Sequence, residues 1–132
     1  MTAHLTDDAS DCVAHSYGQV QQFFREHRCA TLHRAQFEVR DSKGDVALVP
    51  VAWVEMPDEA AARSLKQLLD GGGTGNVTEL SREQGRYRTV RYTGDVYTSR
   101  RDGTVVVNAQ AQPVARGWAG LAFTSIVTNV VQ

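Results

Sequence analysis

The two cysteines of the chain are the residues whose chemistry says most about its function. Cys12 and Cys29 lie in the first quarter of 132 residues and flank a segment, residues 16–27, with helical spacing of its apolar side chains. Joined in a disulfide, they predict an exported protein in an oxidising compartment. As free thiolates beside histidines, they are ligands for a metal such as zinc. Buried, reduced thiols with a purely structural role are a third interpretation.

The length of the intervening helix limits how a disulfide can form. The two Cα atoms must lie within about 7 Å of each other, whereas a helix of about eleven residues is about 16 Å long. With Ser16 as the N-cap, residues 12–15 lie outside the helix and, when extended, run back along it by about 13 Å. The bridge is therefore feasible if the segment doubles back, and it would stabilise the fold by about 3 kcal/mol.

A metal site is the competing interpretation of the same residues. Cys12 and His15 form one half-site, His27 and Cys29 form another, and His33 follows closely. Tetrahedral zinc sites use such Cys2His2 sets, but His-x-Cys is an unusual half-site and a helix separates the two halves. We therefore favour a Cys12–Cys29 disulfide and expect no metal and no cofactor.

Composition narrows the class of protein. The length predicts one domain, with residues 1–11 as a polar, flexible lead-in and residues 12–132 as the folded unit. A net charge of −1 favours neither nucleic acid nor an acidic substrate as the partner. No apolar stretch approaches the roughly 20 residues of a membrane span, and residues 1–11 lack the pattern of a signal peptide. An extracytoplasmic location therefore requires a targeting segment or anchor outside this chain.

The elements that position the cysteines follow from periodicity and turn signals. After the first helix, strands are predicted over residues 34–40 and 46–56, with Pro50 favouring a bulge or an edge position. Asp58 is the predicted N-cap of a second helix. The glycine-rich residues 71–78 end that helix and predict a mobile loop rather than a phosphate loop, since no lysine stands at the required position.

The C-terminal half predicts further strands. Alternation predicts a strand over residues 87–93, and Asp102-Gly103 predicts a hairpin between two more strands. Residues 119–130 are predicted as a helix, with a strand as the alternative because many are β-branched. The order α-β-β-α-β-β-β-α predicts an α+β fold, an antiparallel sheet of four to five strands with two to three helices on one face.

Residues 82–101 are the one local departure from charge neutrality. Arginines alternate there with tyrosines, and such groups bind anions by pairing with phosphate and by stacking. An ordinary solvated strand face is the alternative, and parity places Arg88 and Arg91 on opposite faces. The candidate partner- or anion-binding residues are Arg86, Tyr87, Arg88, Arg91, Tyr92, Tyr97, Arg100 and Arg101.

The sequence identifies no catalytic residue. A nucleophile with a base, or two carboxylates in one cleft, would be needed, and no motif assembles either. The favoured function is therefore an exported, non-enzymatic interaction or cell-envelope domain that binds a protein or an envelope polymer. The alternatives are a cytosolic nucleic-acid-associated module and a metal-binding protein that uses Cys12, His15, His27 and Cys29.

A set of short motifs extends over most of the chain after residue 11. They are Asp11-Cys12, His15-Ser16-Tyr17-Gly18, residues 23–29, Leu32-His33-Arg34-Ala35, residues 54–57 and residues 75–80. Together they resemble small extracytoplasmic domains of actinobacterial exported or membrane-anchored proteins of unknown function. The resemblance implies a mature domain that followed a signal peptide or a transmembrane anchor, and it transfers no catalytic residue.

Overall fold

The chain folds into an antiparallel α+β structure, as predicted. A computed structural model describes residues 3–40, 43–94 and 96–114. Its helices are α1 (Gly18–Glu26) and α2 (Glu59–Leu69). Its strands are β1 (Ala3–Ala9), β2 (Ser16–Tyr17), β3 (Thr31–Arg40), β4 (Val46–Glu55), β5 (Gly75–Val77), β6 (Tyr97–Asp102), β7 (Val105–Gln110) and β8 (Gln112–Pro113). Two short 3₁₀ helices cover Val13–His15 and Leu80–Arg82.

The main sheet contains six antiparallel strands. Their order is β1-β3-β4-β7-β6, and β8 also pairs with β4. A separate two-stranded sheet joins β2 to β5. The described residues therefore run β-β-α-β-β-α-β-β-β-β, which differs from the predicted order in the number and placement of strands. The helix predicted over residues 119–130 lies outside the described residues.

The first strand corrects the expectation of a flexible lead-in over residues 1–11. β1 pairs with β3 along its length, from Ala3 opposite Phe37 to Ala9 opposite Leu32. Leu5 is the single large aliphatic residue of β1, so the segment has little hydrophobic signal. Backbone pairing at a sheet edge needs no such signal, which is why periodicity missed the strand. The division of the chain into domains stays a prediction.

Pro50 lies in a central strand rather than at the predicted bulge or edge position. β4 pairs with β3 on one side, without a register shift. On the other side its pairing with β7 ends at Val51–Ala109 and resumes with β8 at Leu48–Gln112, in the same register. Because proline has no N–H to donate, the ladder is interrupted at this point. The interruption divides β7 from β8.

The two helices pack on the same face of the sheet, as expected. Phe24 of α1 and Leu65 of α2 are fully buried and pack with Leu32, Val54 and Val106 of the sheet. Burying each such side chain contributes about 1.5–3 kcal/mol. Asp58 caps α2 as predicted, since its carboxylate accepts a hydrogen bond of 2.8 Å from the Ala61 amide.

The start of α1 differs from the prediction. The helix is preceded by Tyr17, which provides no side-chain cap, and Ser16 is buried with its hydroxyl donating to the Cys12 carbonyl at 2.6 Å. The amide of Val20 instead donates to the Thr74 carbonyl at 3.0 Å. The glycine-rich loop after α2 therefore satisfies an N-terminal amide of α1, which a local capping rule does not foresee.

Candidate functional site

A disulfide joins Cys12 to Cys29, with 6.2 Å between their Cα atoms. The chain doubles back as the helix length required. It does so through the 3₁₀ helix Val13–His15 and the short strand β2, rather than through an extended run over residues 12–15. The predicted bond is confirmed, and the segment between the cysteines carries His15 and the exposed Tyr17.

The alternative metal set is not available, because the disulfide uses both thiols. His15 lies 3.0 Å from the Glu83 carboxylate through its Nδ1, and His27 stacks on Phe23 with 4.7 Å between ring centroids. In residues 3–40, 43–94 and 96–114, no three or more His, Cys, Asp or Glu residues are grouped so that they could hold a metal ion. The four proposed ligands therefore have other partners.

Arg34 is the centre of a buried ionic cluster. Its side chain is 1% exposed, although the strand alternation places it with the polar residues of β3. The guanidinium donates to Asp7 at 2.9 Å, to Glu83 at 2.8 Å and to the Thr78 carbonyl at 3.0 Å. These partners come from β1, from the end of the second 3₁₀ helix and from the loop between β5 and that helix. We call Asp7, His15, Arg34 and Glu83 the ionic cluster.

Within the ionic cluster, the pKa shifts of Arg34 and Glu83 both favour the charged forms of these side chains. Burial works against the charged form of Arg34, but hydrogen bonds to Glu83 and Asp7 outweigh it and raise the pKa of the guanidinium. Burial would likewise raise the pKa of Glu83, yet hydrogen bonds from Arg34 and His15 hold it below its usual value. The ionic cluster therefore joins four segments of the chain. Its charges are neutralised by one another, so they offer little attraction to a charged ligand.

The candidate arginines lie in different parts of the structure. Arg86 pairs with Glu38 at 3.0 Å, and the Tyr87 hydroxyl donates to the same carboxylate at 3.0 Å. Both residues therefore contact β3. Arg100 and Arg101 instead lie on β6, three strands away in the sheet; Arg100 lies 3.7 Å from Asp102, and Arg101 donates to the Gly103 carbonyl at 2.8 Å.

The strand predicted over residues 87–93 is wrong, since these residues form turns and irregular structure. Arg88 and Arg91 are exposed in this segment, whereas Tyr92 turns inward. Arg88 and Arg91 therefore do not lie on opposite faces of a strand. The anion-binding role assigned to the arginines stays a prediction, and the structure does not gather them on one surface.

Tyr92 anchors the irregular segment to the sheet. Its hydroxyl oxygen lies 2.5 Å from the Ser81 hydroxyl and accepts a hydrogen bond of 3.3 Å from the Gln36 amide. Burial is the main cause that raises the pKa of Tyr92 to about 12. The phenol is therefore neutral over the physiological range, and its ring is held in one orientation.

Tyr97 is held in a similar way at the start of β6. Its hydroxyl donates to Asp70 at 3.1 Å, and the same carboxylate accepts from Ser99 at 2.5 Å and from Lys66 at 2.7 Å. Burial, followed by the charge of Asp70, raises the pKa of Tyr97 well above its usual value. Burial would raise the pKa of Asp70 too, but hydrogen bonds from Lys66 and Ser99 lower it.

An open cleft of about 520 Å³ is lined by Tyr92, Tyr97 and a third tyrosine, Tyr17 of β2. It lies between the glycine-rich loop after α2 and the segment that leads into β6. We call it the tyrosine cleft. The side chains and glycines that line it are those of Tyr17, Gly18, Leu69, Asp70, Gly71, Gly72, Gly73, Gly75, Asn76, Tyr92, Thr93, Gly94, Tyr97 and Gln110.

Two glycines allow the floor of the tyrosine cleft to form. Gly75 has φ +89°, and a Cβ there would lie 2.2 Å from the Tyr17 carbonyl oxygen. Gly18 has φ +68° and would bring a Cβ to 2.9 Å from the Cα of Gly75. Only glycine tolerates both the backbone angle and the contact. Residues 71–78 are therefore not only a mobile loop, since β5 pairs with β2 within them.

Sequence reasoning found two of the three tyrosines in the cleft and missed its other polar residues. Tyr92 and Tyr97 are candidates because they alternate with arginines, whereas Tyr17 lies in residues 16–27, whose apolar spacing predicts only a helix. Asn76 and Gln110 carried no signal of their own. The run of glycines was the one usable indication, because glycine is frequent where backbones approach closely.

Comparison with protein-family models, with curated proteins and with solved structures gives no match. Within the described residues, neither helix has the length and apolar character that crossing a membrane requires.

Proposed function

We propose that this chain is an exported, non-enzymatic binding domain of the cell envelope, and that the tyrosine cleft is its contact surface. The observation that carries the proposal is the open cleft itself, in which tyrosine rings with fixed orientation meet amide side chains. Clefts of about 300–1,000 Å³ with aromatic walls and a few polar groups are typical of ligand-binding sites. The partner is an envelope component, in keeping with the resemblance of the motifs.

The disulfide supports the extracytoplasmic part of the proposal. A chain of this length buries enough surface to fold without a covalent link, so the bond is reinforcement. Such bonds persist in oxidising compartments and are reduced in the cytosol.

The ionisable groups of the tyrosine cleft support binding rather than catalysis. Proton transfer at neutral pH needs a group whose pKa lies near the working pH. Tyr92 and Tyr97 have pKa values raised above that of a normal phenol, and the pKa of Asp70 is lowered. These groups therefore keep one protonation state while a ligand binds.

The compartment is tested by the redox state of the cysteines in cells. Cells that produce the protein are quenched in acid, free thiols are alkylated, and the intact mass is recorded. We expect no alkyl adduct before reduction and two after reduction, since Cys12 and Cys29 are the only cysteines. Two adducts without reduction would contradict export.

Binding is tested by sedimentation of the oxidised chain with isolated actinobacterial cell envelopes. Gly72 lines the cleft, and nothing lies within 4 Å of the Cβ that a substitution would add there. Gly72→Trp should therefore fill the cleft without disturbing the fold and should abolish co-sedimentation. Ser64→Trp, on the exposed side of α2, is the matched control and should bind as the unmodified chain does. Equal binding by both variants would contradict the proposal.

A further inference from the structure

We infer that the tyrosine cleft binds a neutral pyranose unit of an envelope glycan. The inference rests on the proposed function and names the chemistry of its ligand. It follows from three properties of the cleft: which parts of the tyrosines can meet a ligand, which polar groups remain for it, and which charge the cleft tolerates.

The hydroxyl groups of two tyrosines are engaged with the protein, so their rings are what the cleft offers. Tyr92 bonds Ser81 and Gln36, and Tyr97 bonds Asp70. Both rings are thus oriented before a ligand arrives, which reduces the entropic cost of binding. An aromatic face is electron-rich and attracts the weakly positive C–H groups on the flat side of a pyranose.

Tyr17 adds an aromatic group at the solvent side of the cleft. It is 38% exposed, which makes it one of two exposed large hydrophobic residues in the described part of the chain. The Arg82 guanidinium lies over its ring, 5.4 Å from the centroid. The contact steadies an exposed ring, as a stacking platform at the edge of a sugar site requires.

The two amide side chains supply a donor and an acceptor. Asn76 uses its carbonyl oxygen to accept from the Val77 amide at 2.7 Å and from Asn108 at 2.9 Å, which leaves its N–H groups for a ligand. Gln110 donates its N–H to buried Glu79, which leaves its carbonyl oxygen. Sugar hydroxyls both donate and accept, so one donor and one acceptor amide match them.

The charges around the cleft favour a neutral ligand. Asp70 is the charged side chain among the described lining residues, and Lys66 pairs with it at 2.7 Å. No arginine lines the described part of the cleft. An anionic ligand would lie beside the Asp70 carboxylate, and the nearby cations Lys66 and Arg82 are already paired with Asp70 and Glu79. A cationic ligand would compete with Lys66 for Asp70. A neutral ring with hydroxyl groups carries neither penalty.

The test uses the full, oxidised chain and a panel of neutral pyranoses: glucose, galactose, mannose and N-acetylglucosamine. Binding is followed by amide chemical-shift changes in NMR spectra at millimolar sugar. We expect at least one sugar to shift the signals of the cleft. Tyr17→Ala should weaken that binding by about tenfold, the loss of one stacking ring, while Tyr17→Phe keeps the ring and should bind within about twofold.

Two controls separate the cleft from the rest of the surface. Gly72→Trp should abolish the shifts, and Ser64→Trp should leave them unchanged. Tyr87→Ala removes a tyrosine that contacts Glu38 outside the cleft and should also leave them unchanged. Folding of each variant is checked by the dispersion of its amide spectrum.

Several outcomes would overturn the inference. Absence of shifts with every sugar, shifts that persist in Tyr17→Ala and Gly72→Trp, or tighter binding of sugar phosphates than of neutral sugars would each do so. If envelopes bind in a way that Gly72→Trp abolishes but no sugar competes, the sugar is wrong and the proposed function stands. If neither envelopes nor sugars bind, both proposals fail.

Discussion

The ionic cluster and the tyrosine cleft are two polar regions built on the same face of the sheet. Arg34 faces inward from β3, and Gln110 faces inward from β7, the strand on the other side of β4. In the ionic cluster each charged group finds its partner within the protein. In the tyrosine cleft the hydroxyls of Tyr92 and Tyr97 bond to the protein, whereas Tyr17 at the solvent side is 38% exposed.

The comparison shows that inward-facing polar residues can either hold segments of the protein together or leave hydrogen-bonding groups for a ligand. A buried charge must be paired, so Arg34 holds separate segments in a single arrangement. A partly buried neutral group can keep some of its bonding capacity free: the carbonyl oxygen of Asn76 accepts two hydrogen bonds from the protein, and its N–H groups make none within the described part of the chain. We expect substitutions in the ionic cluster to change stability, and substitutions at the solvent side of the cleft to change binding.

Arg34→Ala should give the largest loss of stability among the single substitutions. It leaves Asp7 and Glu83 without their cation, and breaking a buried pair in this way costs about 3–5 kcal/mol. We expect about 3 kcal/mol, because the carboxylates are 28% and 27% exposed and can take up water. The measurement is the urea midpoint at unchanged slope.

Arg40→Ala is the matched control for Arg34→Ala. Arg40 also pairs with a carboxylate, that of Glu38 at 2.7 Å, but its side chain is 55% exposed. Its loss should cost less than about 1 kcal/mol. Equal losses of stability in the two variants would show that the buried ion pairs of Arg34 contribute no more than an exposed pair does.

Removal of the disulfide tests whether the ionic cluster and the tyrosine cleft depend on the Cys12–Cys29 bond for their structure. The loop between the cysteines carries His15 of the ionic cluster and Tyr17 of the tyrosine cleft. Replacing both cysteines with alanine should lower the free energy of unfolding by about 3 kcal/mol, since the open chain gains entropy. Well below the unfolding temperature, the amide spectrum of both regions should remain close to that of the oxidised chain. Loss of signal dispersion in either region would show that this region depends on the disulfide for its structure.

Gly75→Ala tests the floor of the cleft. The added Cβ would meet the Tyr17 carbonyl at a positive φ, and we expect a loss of about 2 kcal/mol. Gly72→Ala, in the same loop but in open space, should leave stability within about 1 kcal/mol of the parent, on the stabilising side. Thermal unfolding of the pair compares the two glycines, and similar midpoints would contradict the close approach of β2 and β5.

The pH dependence should differ between two glutamates. The pKa of Glu83 is held below its usual 4.5 by Arg34 and His15. Its stabilisation is therefore complete above pH 4.5 and is lost as pH falls through the lower, folded-state value. Burial raises the pKa of Glu79 above 4.5, so its ionisation opposes folding, and its contribution improves as pH falls towards 4.5.

Urea unfolding of Glu83→Gln and Glu79→Gln between neutral and acidic pH measures these contributions. Relative to the parent, Glu83→Gln should lose less stability at acidic pH than at neutral pH. Glu79→Gln should be more stable than the parent at neutral pH, and this difference in stability should shrink at acidic pH. Parallel curves for the two variants would contradict the opposite environments of the two carboxylates.

Local physics accounts for the parts of the fold that were predicted. Asp58 caps α2 because its carboxylate reaches an amide three residues away, and Gly103, with φ +61°, allows the hairpin between β6 and β7. The strand predicted over residues 87–93 failed because alternation is also produced by an irregular segment. There Tyr92 turns inward towards Ser81 and Gln36, a choice that depends on partners far along the chain.

The sequence by itself determined the disulfide as a feasible bond, the antiparallel α+β class and the elements with strong caps or turns. These depend on interactions over a few residues or on the length of one helix. Tertiary structure alone decided that Arg34 faces inward and that Tyr17 meets Tyr92 and Tyr97 at one cleft. Sheet register and the contact of Gly75 with Tyr17 set those positions, and both join residues that are distant in sequence. Local propensities carry no information about such pairs, because the energy of each contact depends on which segments pack together.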